Sequence, residues 1–316
     1  MSRTVRAVQV IEHGRPPTLA DVELADEHEG EVVVELAYAG VNPVDTYIAA
    51  GKVAPDEPLP RVLGGEASGH VRGKPVLVAG SGLGARRNGV WAQAAVAPEM
   101  AVIPLPAGVD LQQAAAMGVA GLTAYQVLGP VGQVGPGDRV LILGASGGVG
   151  GPLCSYAASL GATVVGQTGN AAKADAIRES GAEDVLVTDA DGLVEAARAL
   201  NPTMIVDPLG GAFTPAALQA LAPRGRLVVY GTSAGAQVSF DLQQVYRNSK
   251  AILSYGGLGL SDEERRAGLE KALRVLAAGK MQIRVDRVLP LDQVGEAFDL
   301  ITNRGLSGKV LFDCQA

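Results

Sequence analysis

The sequence predicts an α/β protein of two domains, one built mainly from β-strands and the other from a doubly wound parallel sheet. A chain of 316 residues is longer than one small hydrophobic core usually organises. Short apolar segments separated by Gly and Pro dominate its first part, as in β-rich domains. Beyond Arg139, apolar strand-like runs alternate with helical patterns, which is typical of βαβ units.

The β-rich domain is predicted from segments that show little helical periodicity. In the first part of the chain these are VRAVQVIE, GEVVVELAYAGV, RVLGGEASGHV, KPVLVAG, VWAQAAVA and AVIPLP. Near the end, an amphipathic helix is expected to begin after Ser261 as N-cap, with Glu264 completing a capping box, and to stop at Gly279. Two strands follow it. The simplest arrangement assigns residues 1–112 and 256–316 to this domain and inserts residues 113–255 as the second.

The second domain is predicted from the alternation of its elements. Strands are expected at residues 140–143, 163–166, 185–187, 204–207, 226–230 and 252–255, and helices at 149–160, 171–180, 192–200 and 213–221. Short apolar strands joined by helices form parallel sheets that are covered on both faces. Strands and helices in this order predict a doubly wound sheet.

Composition and charge exclude several classes of protein. Acidic residues outnumber basic ones by 33 to 26, and the net charge of −7 disfavours nucleic acid and anionic membrane surfaces as partners. The first residues contain no apolar signal-peptide core, and Gln, Pro and Gly interrupt the uncharged run from Leu111 to Gly137. We therefore expect a cytoplasmic protein without a membrane span. Its two cysteines, Cys154 and Cys314, are expected to be buried thiols.

A glycine-rich segment, GASGGVG at residues 144–150, joins the first predicted strand of the second domain to its first helix. This is the context that a dinucleotide-binding loop requires, because free N–H groups at the helix start face the pyrophosphate. Gly150 is expected to let the helix pack on the strand. A tight turn without a ligand is the alternative. The cofactor-binding residues predicted here are Gly144, Ala145, Ser146, Gly147, Gly148 and Val149.

The residues after the second strand of this domain indicate which nucleotide binds. Sites for NAD usually place an acidic residue about 20 positions beyond the glycines, on the ribose 2′-hydroxyl. Here the segment GQTGNAAK has neutral Thr168 and Asn170 followed by Lys173, and no acid precedes Asp175. An absent acid and a nearby cation favour a 2′-phosphate, so NADPH is the predicted cofactor. A solvated lysine on a helix face is the alternative reading of Lys173.

Several motifs together resemble one known family. They are AYAGVNPVDTYIAAG, LGGEASG, MGVAGLTAYQVL, GDRVLILGASGGVG and GLSGKVLF, in that order along nearly the whole chain. They resemble the zinc-free, zeta-crystallin-like quinone oxidoreductases of the medium-chain dehydrogenase/reductase superfamily. The resemblance implies a GroES-like catalytic domain, a Rossmann domain, NADPH in a cleft between them, and a homodimer made through the Rossmann sheets.

The resemblance also implies a set of site residues. Asn42 would hydrogen-bond near the nicotinamide ribose or the substrate, and Tyr47 would donate its phenolic O–H toward the substrate oxygen. Asp45 of the same NPVDTY motif is assigned with them as catalytic. Thr123 would reach the nicotinamide. The turn after the fifth strand of the second domain is expected at the carboxyl edge of the sheet, where ligands bind in such folds. Its predicted cofactor-binding residues are Gly231, Thr232 and Ser233.

The sequence predicts that no metal is bound. Zinc-dependent relatives carry Cys and His where this chain has Asn42 and Gly65, and catalytic zinc normally needs three protein ligands. Without a Lewis acid, the reduction of an electron-poor acceptor is more plausible than the oxidation of an alcohol. We therefore expect NADPH-dependent reduction of a quinone or an α,β-unsaturated carbonyl, by hydride or single-electron transfer. Two alternatives stay open: an enoyl-thioester reductase and a non-catalytic NADPH-binding protein.

Overall fold

The computed structural model describes residues 3–303 and 305–316, and within them the chain forms two compact units. Unit 1 comprises the residues up to 122 together with 260–278 and 285–316, and unit 2 comprises 123–259 and 279–284. The sequence places the first boundary at 112/113, whereas residues 113–122 lie with unit 1. Residues 256–259 and 279–284 lie with unit 2, although the sequence assigns them to the β-rich domain.

Strands and helices are numbered along the chain. The strands are β1 Thr4–Val10, β2 Thr18–Glu23, β3 Glu31–Val41, β4 Arg61–Val62, β5 Glu66–Val71, β6 Lys74–Ala79, β7 Ala94–Pro98, β8 Val102–Pro104, β9 Arg139–Ile142, β10 Thr163–Thr168, β11 Asp184–Val187, β12 Met204–Asp207, β13 Arg226–Val229, β14 Ala251–Ser254, β15 Val285–Pro290 and β16 Lys309–Asp313. The helices are α1 Pro43–Ala49, α2 Leu111–Ala115, α3 Leu122–Gln126, α4 Gly150–Ser159, α5 Ala174–Glu179, α6 Leu193–Ala196, α7 Phe213–Ala220, α8 Leu242–Arg247, α9 Asp262–Ala277 and α10 Val294–Thr302.

Unit 1 is the predicted β-rich domain. Its larger sheet has the order β15-β16-β3-β5-β6-β8, with β7 also paired to β3, and a smaller sheet has the order β2-β1-β4. Trp91 lies fully buried in the core, donates its indole N–H to the Gly40 carbonyl over 3.0 Å and packs edge-on against Phe312. The sheet order places β16, from the end of the chain, beside β3. The β-rich unit is therefore closed by the C-terminal segment, as the sequence predicts.

Helix α1 was not predicted, because seven residues give too little helical periodicity to detect. The helix begins after Asn42 with Pro43 at its first position, where proline needs no N–H partner. The carboxylate of Asp45 accepts the backbone N–H of Asn42 over 2.8 Å, which satisfies the start of the helix from within. The later helix α9 has the predicted capping box between Ser261 and Glu264.

Unit 2 is the predicted doubly wound sheet. Its strands are parallel and lie in the order β11-β10-β9-β12-β13-β14, so the strand order reverses between β9 and β12. All the predicted strands of this sheet are confirmed within the described residues, with ends that differ by a residue or two. The predicted helix over residues 192–200 is shorter, at Leu193–Ala196, because the chain turns again before Leu200.

The uncharged segment near Leu111 forms a broken series of helical turns. Helices α2 and α3 alternate with π-helical turns at Met117–Gly121 and Val127–Val131. Among the described residues, no helix has the length and apolarity that crossing a bilayer requires. Cys154 and Cys314 are buried free thiols, as predicted, and burial raises the pKa of Cys154 to about 12.

Candidate functional site

The glycine-rich loop of unit 2 joins β9 to α4 at the point where the strand order reverses. Gly144 has φ of 61°, a conformation that disfavours any other residue. A side chain at Gly150 would place its Cβ 2.1 Å from the Ala145 carbonyl oxygen, so the start of α4 can approach the loop only with glycine there. The loop is also held from outside, because Gln167 at the end of β10 accepts the Gly144 N–H over 3.0 Å.

The N–H groups of this loop divide into two sets. Those of Gly147 and Gly150 close turns inside the loop, at 3.0 Å each. For the N–H groups of Ser146, Gly148 and Val149, no acceptor is found in the part of the chain that the structure describes. These groups precede a helix of ten residues, whose N-terminal end carries a partial positive charge. Backbone donors in this position fit the pyrophosphate of a dinucleotide.

The side chains at the end of β10 and in the turn that follows it form different hydrogen bonds. Gln167 is buried and both ends of its amide bond to the backbone, since the amide N–H also donates to the Thr188 carbonyl over 2.5 Å. Thr168 is buried and its hydroxyl accepts the Asn170 N–H over 3.2 Å. Asn170 caps the turn Ala171–Lys173 by accepting the Ala172 N–H over 3.0 Å. Lys173 is half-buried, is the last residue of that turn and carries the positive charge of the turn.

Two further turns meet at the carboxyl edge of the same sheet. The turn after β13 contains Gly231, Thr232 and Ser233, and Ser233 donates its N–H to the Pro208 carbonyl over 3.2 Å. Asp207, at the end of β12, is fully buried and accepts the hydroxyl of Thr214 over 2.6 Å as well as two backbone N–H groups. Asp207 therefore caps its own turn. Thr123 is also buried, within α3.

Unit 1 contains a buried polar cluster, made of Asn42, Glu66 and Lys309. The Lys309 ammonium lies 2.7 Å from Glu66 Oε1 and 2.6 Å from Asn42 Oδ1. Asn42 donates its amide N–H to Glu66 Oε1 over 2.6 Å, and the Val119 N–H reaches Glu66 Oε2 over 2.7 Å. Each polar group is thus matched by a partner of opposite character, as burial requires.

The sheet order of unit 1 explains how residues so distant in sequence meet. In the antiparallel registers, Val310 of β16 pairs with Val41 of β3, and Ala39 of β3 pairs with Ala67 of β5. The cluster residues stand one position beyond these partners. Glycine makes room for the carboxylate, because a Cβ at Gly40 would lie 2.3 Å from Glu66 Oε1.

Asp45 lies beside the cluster and is 1% exposed. Burial raises the pKa of Asp45 to about 7; the hydrogen bond from Asn42 lowers it, the charge of Glu66 raises it, and Lys309 lowers it. Tyr47, two residues further along α1, is 45% exposed. Of the three residues that the sequence assigns to catalysis, Tyr47 is therefore accessible, whereas Asn42 and Asp45 are buried in hydrogen-bonded positions.

The described residues of unit 1 do not fit a zinc site. Within residues 3–303 and 305–316, no group of three or more His, Cys, Asp and Glu side chains is placed to hold a metal ion. Glu66 is already paired with the Lys309 ammonium, so a zinc ion would have to displace a buried cation. The sequence alone does not predict a role for Lys309. Its signal is the GK pair of GLSGKVLF, which is informative only once β16 is known to lie beside β3.

Comparisons with known proteins agree with this architecture. Two family models match, "Alcohol dehydrogenase GroES-like domain" over residues 28–107 and "Zinc-binding dehydrogenase" over residues 148–274. Quinone oxidoreductase 1 of Escherichia coli K12 is 30% identical over 326 residues, covering 96% of this chain and 98% of its own.

Solved structures give the same picture. A structure described as an NAD-dependent alcohol dehydrogenase has a TM-score of 0.88 at 28% identity, over 98% of this chain and 99% of its own. A mycobacterial protein complexed with NADPH has a TM-score of 0.85 at 26% identity, with the same coverage.

Proposed function

The chain belongs to the quinone oxidoreductase branch of the medium-chain dehydrogenase/reductase superfamily, and we propose that it reduces quinones or α,β-unsaturated carbonyls with NADPH and without a metal. The observation that carries the proposal is the buried cluster of Lys309, Glu66 and Asn42 in unit 1. It pairs the carboxylate with a cation of the chain itself. An acceptor that is already electron-poor can be reduced without a Lewis acid.

Unit 2 supplies the binding of the cofactor in this proposal. The N–H groups of Ser146, Gly148 and Val149, which have no acceptor among the described residues, would hold the pyrophosphate at the start of α4. Lys173, with Thr168 and Asn170 beside it, would face the 2′-phosphate. Gln167 supports this assignment, because it occupies the end of β10 as a neutral, hydrogen-bonded side chain. The turn at Gly231–Ser233 would complete the site at the carboxyl edge of the sheet.

Unit 1 supplies the binding of the acceptor. When bound, NADPH provides a hydride for the carbon conjugated with the acceptor's carbonyl group. The exposed phenol of Tyr47 would donate a hydrogen bond to the carbonyl oxygen, on which negative charge develops. Asn42 and Asp45 would fix the start of α1 and thereby the direction of Tyr47. We assign these two as positioning residues, since both are buried.

A homodimer is part of the proposal, and β14 is its expected interface. This strand lies at the edge of its sheet, with Ile252 43% exposed. Leu242 and Tyr246 on the preceding helix are 66% and 62% exposed. An open edge with apolar neighbours pairs readily with another strand. In a dimer with a two-fold axis, β14 of a second copy would pair antiparallel with β14 of the first. This pairing would cover the open strand edge and the apolar side chains beside it.

The test is oxidation of NADPH by the purified protein with three classes of acceptor: a simple quinone, a short enone and an enoyl thioester. NADH is the matched control cofactor. Turnover with the quinone or the enone that prefers NADPH is the expected result. Turnover confined to the enoyl thioester would replace the proposal with an enoyl-thioester reductase. Tight NADPH binding without turnover on any acceptor would replace it with a binding function.

A further inference from the structure

Arg61 is a buried arginine that forms no ion pair with any of the residues that the structure describes. It opens the short strand β4, pairs in register with Val10 of β1, and is 3% exposed. Its Nη1 donates to the Pro58 carbonyl over 3.2 Å. Its Nε and Nη2 are buried and have no hydrogen-bond partner among the described residues. A buried guanidinium is expected to be paired and hydrogen-bonded, because desolvating a lone charge is costly.

The two atoms without partners, Nε and Nη2, lie on the same edge of the Arg61 guanidinium group. In a guanidinium group, Nε–H and Nη2–H point in parallel from one edge, on the side away from Nη1. That edge matches the two oxygens of a carboxylate or phosphate, which bind it through two parallel hydrogen bonds. The Pro58 contact uses the other side of the group and holds the edge in place. Arg61 therefore presents a fixed two-pronged donor.

A half-buried histidine of the same unit also has buried nitrogen atoms without hydrogen-bond partners among the described residues. His13, in the turn after β1, has both ring nitrogens buried and without partners in residues 3–303 and 305–316. A Cβ at Gly51 would lie 2.9 Å from the His13 ring, so His13 packs at the start of the segment 51–60. Arg61 contacts the same segment near its end, at Pro58. This segment contains turns and bends but neither helix nor strand, and the entry of a small molecule requires its displacement.

We propose that Arg61 is the anchor of a binding site for a small carboxylate, separate from the cluster of Asn42, Glu66 and Lys309. A carboxylate is favoured over phosphate because it is singly charged. One carboxylate neutralises one guanidinium, whereas a phosphate dianion would leave a net negative charge buried. Bound there, the carboxylate ties the segment 51–60 to β4. Since this segment begins directly after α1, which carries Tyr47, occupancy of the site also stabilises α1.

The experiment measures the binding of acetate to the full-length protein. The melting temperature is followed against sodium acetate, with sodium chloride making up a constant ionic strength, and in parallel the ¹⁵N–¹H resonance of the Arg61 side-chain Nε is titrated. The variant is Arg61→Lys, which keeps the charge and loses the two-pronged edge. The matched control is Arg198→Lys, at an arginine that is 72% exposed in unit 2.

The proposal expects a saturable rise in melting temperature with acetate and a shift of the Nε resonance with the same midpoint. In Arg61→Lys the affinity should fall about tenfold or more, and in Arg198→Lys it should not change. No effect of acetate beyond that of chloride would overturn the proposal, as would an unchanged affinity in Arg61→Lys. Tighter binding of phosphate than of acetate would overturn the assignment to carboxylates. If Arg61→Lys does not fold, the resonance of the wild-type protein alone decides the question.

Discussion

The ammonium of Lys309 lies 2.7 Å from the carboxylate of Glu66, and both side chains are almost completely buried, at 4% and 0% exposure. The pair joins β16, at the end of the chain, to β5 through β3. Asn42 bonds to both members and begins α1. The buried pair of Lys309 and Glu66 thus fixes the start of α1, the helix that carries Tyr47. The stability of unit 1 and the geometry of α1 should therefore depend on the same two residues.

Replacing Lys309 by Met should destabilise the protein strongly. The change leaves the carboxylate of Glu66 buried without its cation, which costs about 3–5 kcal/mol in comparable pairs. Adding Glu66→Gln to Lys309→Met should restore a large part of that loss, because the unpaired charge is then absent. Urea unfolding of the three variants gives the free energies. Lys271→Met, at an exposed lysine of α9, is the control. Equal stability of Lys309→Met and this control would contradict the account of the pair.

Asp45 should make the stability of the protein fall as the pH rises. Its pKa in the folded protein is raised from 3.8 to about 7, mainly by burial. Between these two values the folded state binds more protons than the unfolded state, so the free energy of unfolding decreases with increasing pH. The contribution is complete below pH 3.8 and lost above about 7. Asp45→Asn cannot titrate, so the difference between its unfolding free energy and that of the wild type should change with pH across this window. Parallel pH profiles would show that Asp45 does not titrate there.

Gly147→Ala should weaken NADPH binding without unfolding the protein. The new Cβ would lie 3.3 Å from the Gly144 carbonyl oxygen, which the loop can accommodate by a small shift. It would also stand on the surface that we propose for the pyrophosphate. We expect the dissociation constant for NADPH to rise on the order of tenfold, about 1.4 kcal/mol. Titration of the cofactor by fluorescence measures this. Gly135→Ala, where a Cβ meets nothing within 4 Å, should bind like the wild type.

Lys173→Ala should change the choice between the two nicotinamide cofactors. A charged hydrogen bond to the 2′-phosphate contributes about 1.5–3 kcal/mol, and NADH has no such phosphate. Affinity for NADPH should fall by at least about tenfold, whereas affinity for NADH should stay the same. The two dissociation constants are measured on the same preparation. A loss of equal size for both cofactors would place Lys173 outside the 2′-phosphate site.

Ile252→Lys should separate the proposed homodimer. The substitution puts a charge on the edge strand β14, where a second strand would have to pair. Sedimentation velocity should then report the mass of a single chain. Ile11→Lys changes an isoleucine of unit 1 that is 55% exposed, and should leave the dimer intact. A wild-type protein that sediments as a single chain at micromolar concentration would end this part of the proposal.

Local pattern was enough to predict most of unit 2. The strands at β9 and β12 are short, apolar and separated by helical periods, and their parallel pairing follows from that alternation. The sequence does not predict helix α1, because a helix of seven residues is too short to show a helical period of apolar residues. Its start is instead defined by a contact between Asn42 and Asp45, which the NPVDTY motif contains but composition does not reveal.

The burial of Lys309, Arg61 and Asp45 depends on tertiary contacts, which the local sequence does not show. Lys309 stands among ordinary strand residues, and nothing in GLSGKVLF says that its ammonium is buried. That follows only from the register between β16 and β3. Arg61 is a similar case, because a single arginine before VLGG is normally solvated. Asp45 was assigned to catalysis from its motif. Its burial favours a supporting task, which depends on how α1 packs.

Independence from metal is tested by the turnover number for NADPH oxidation with a simple quinone, measured before and after a chelator removes metal ions. The zinc content of each sample is measured as well. We expect equal turnover in the two samples and no change when zinc is added back, because Glu66 is already paired with Lys309. Turnover that disappears with the chelator and returns with stoichiometric zinc would contradict it.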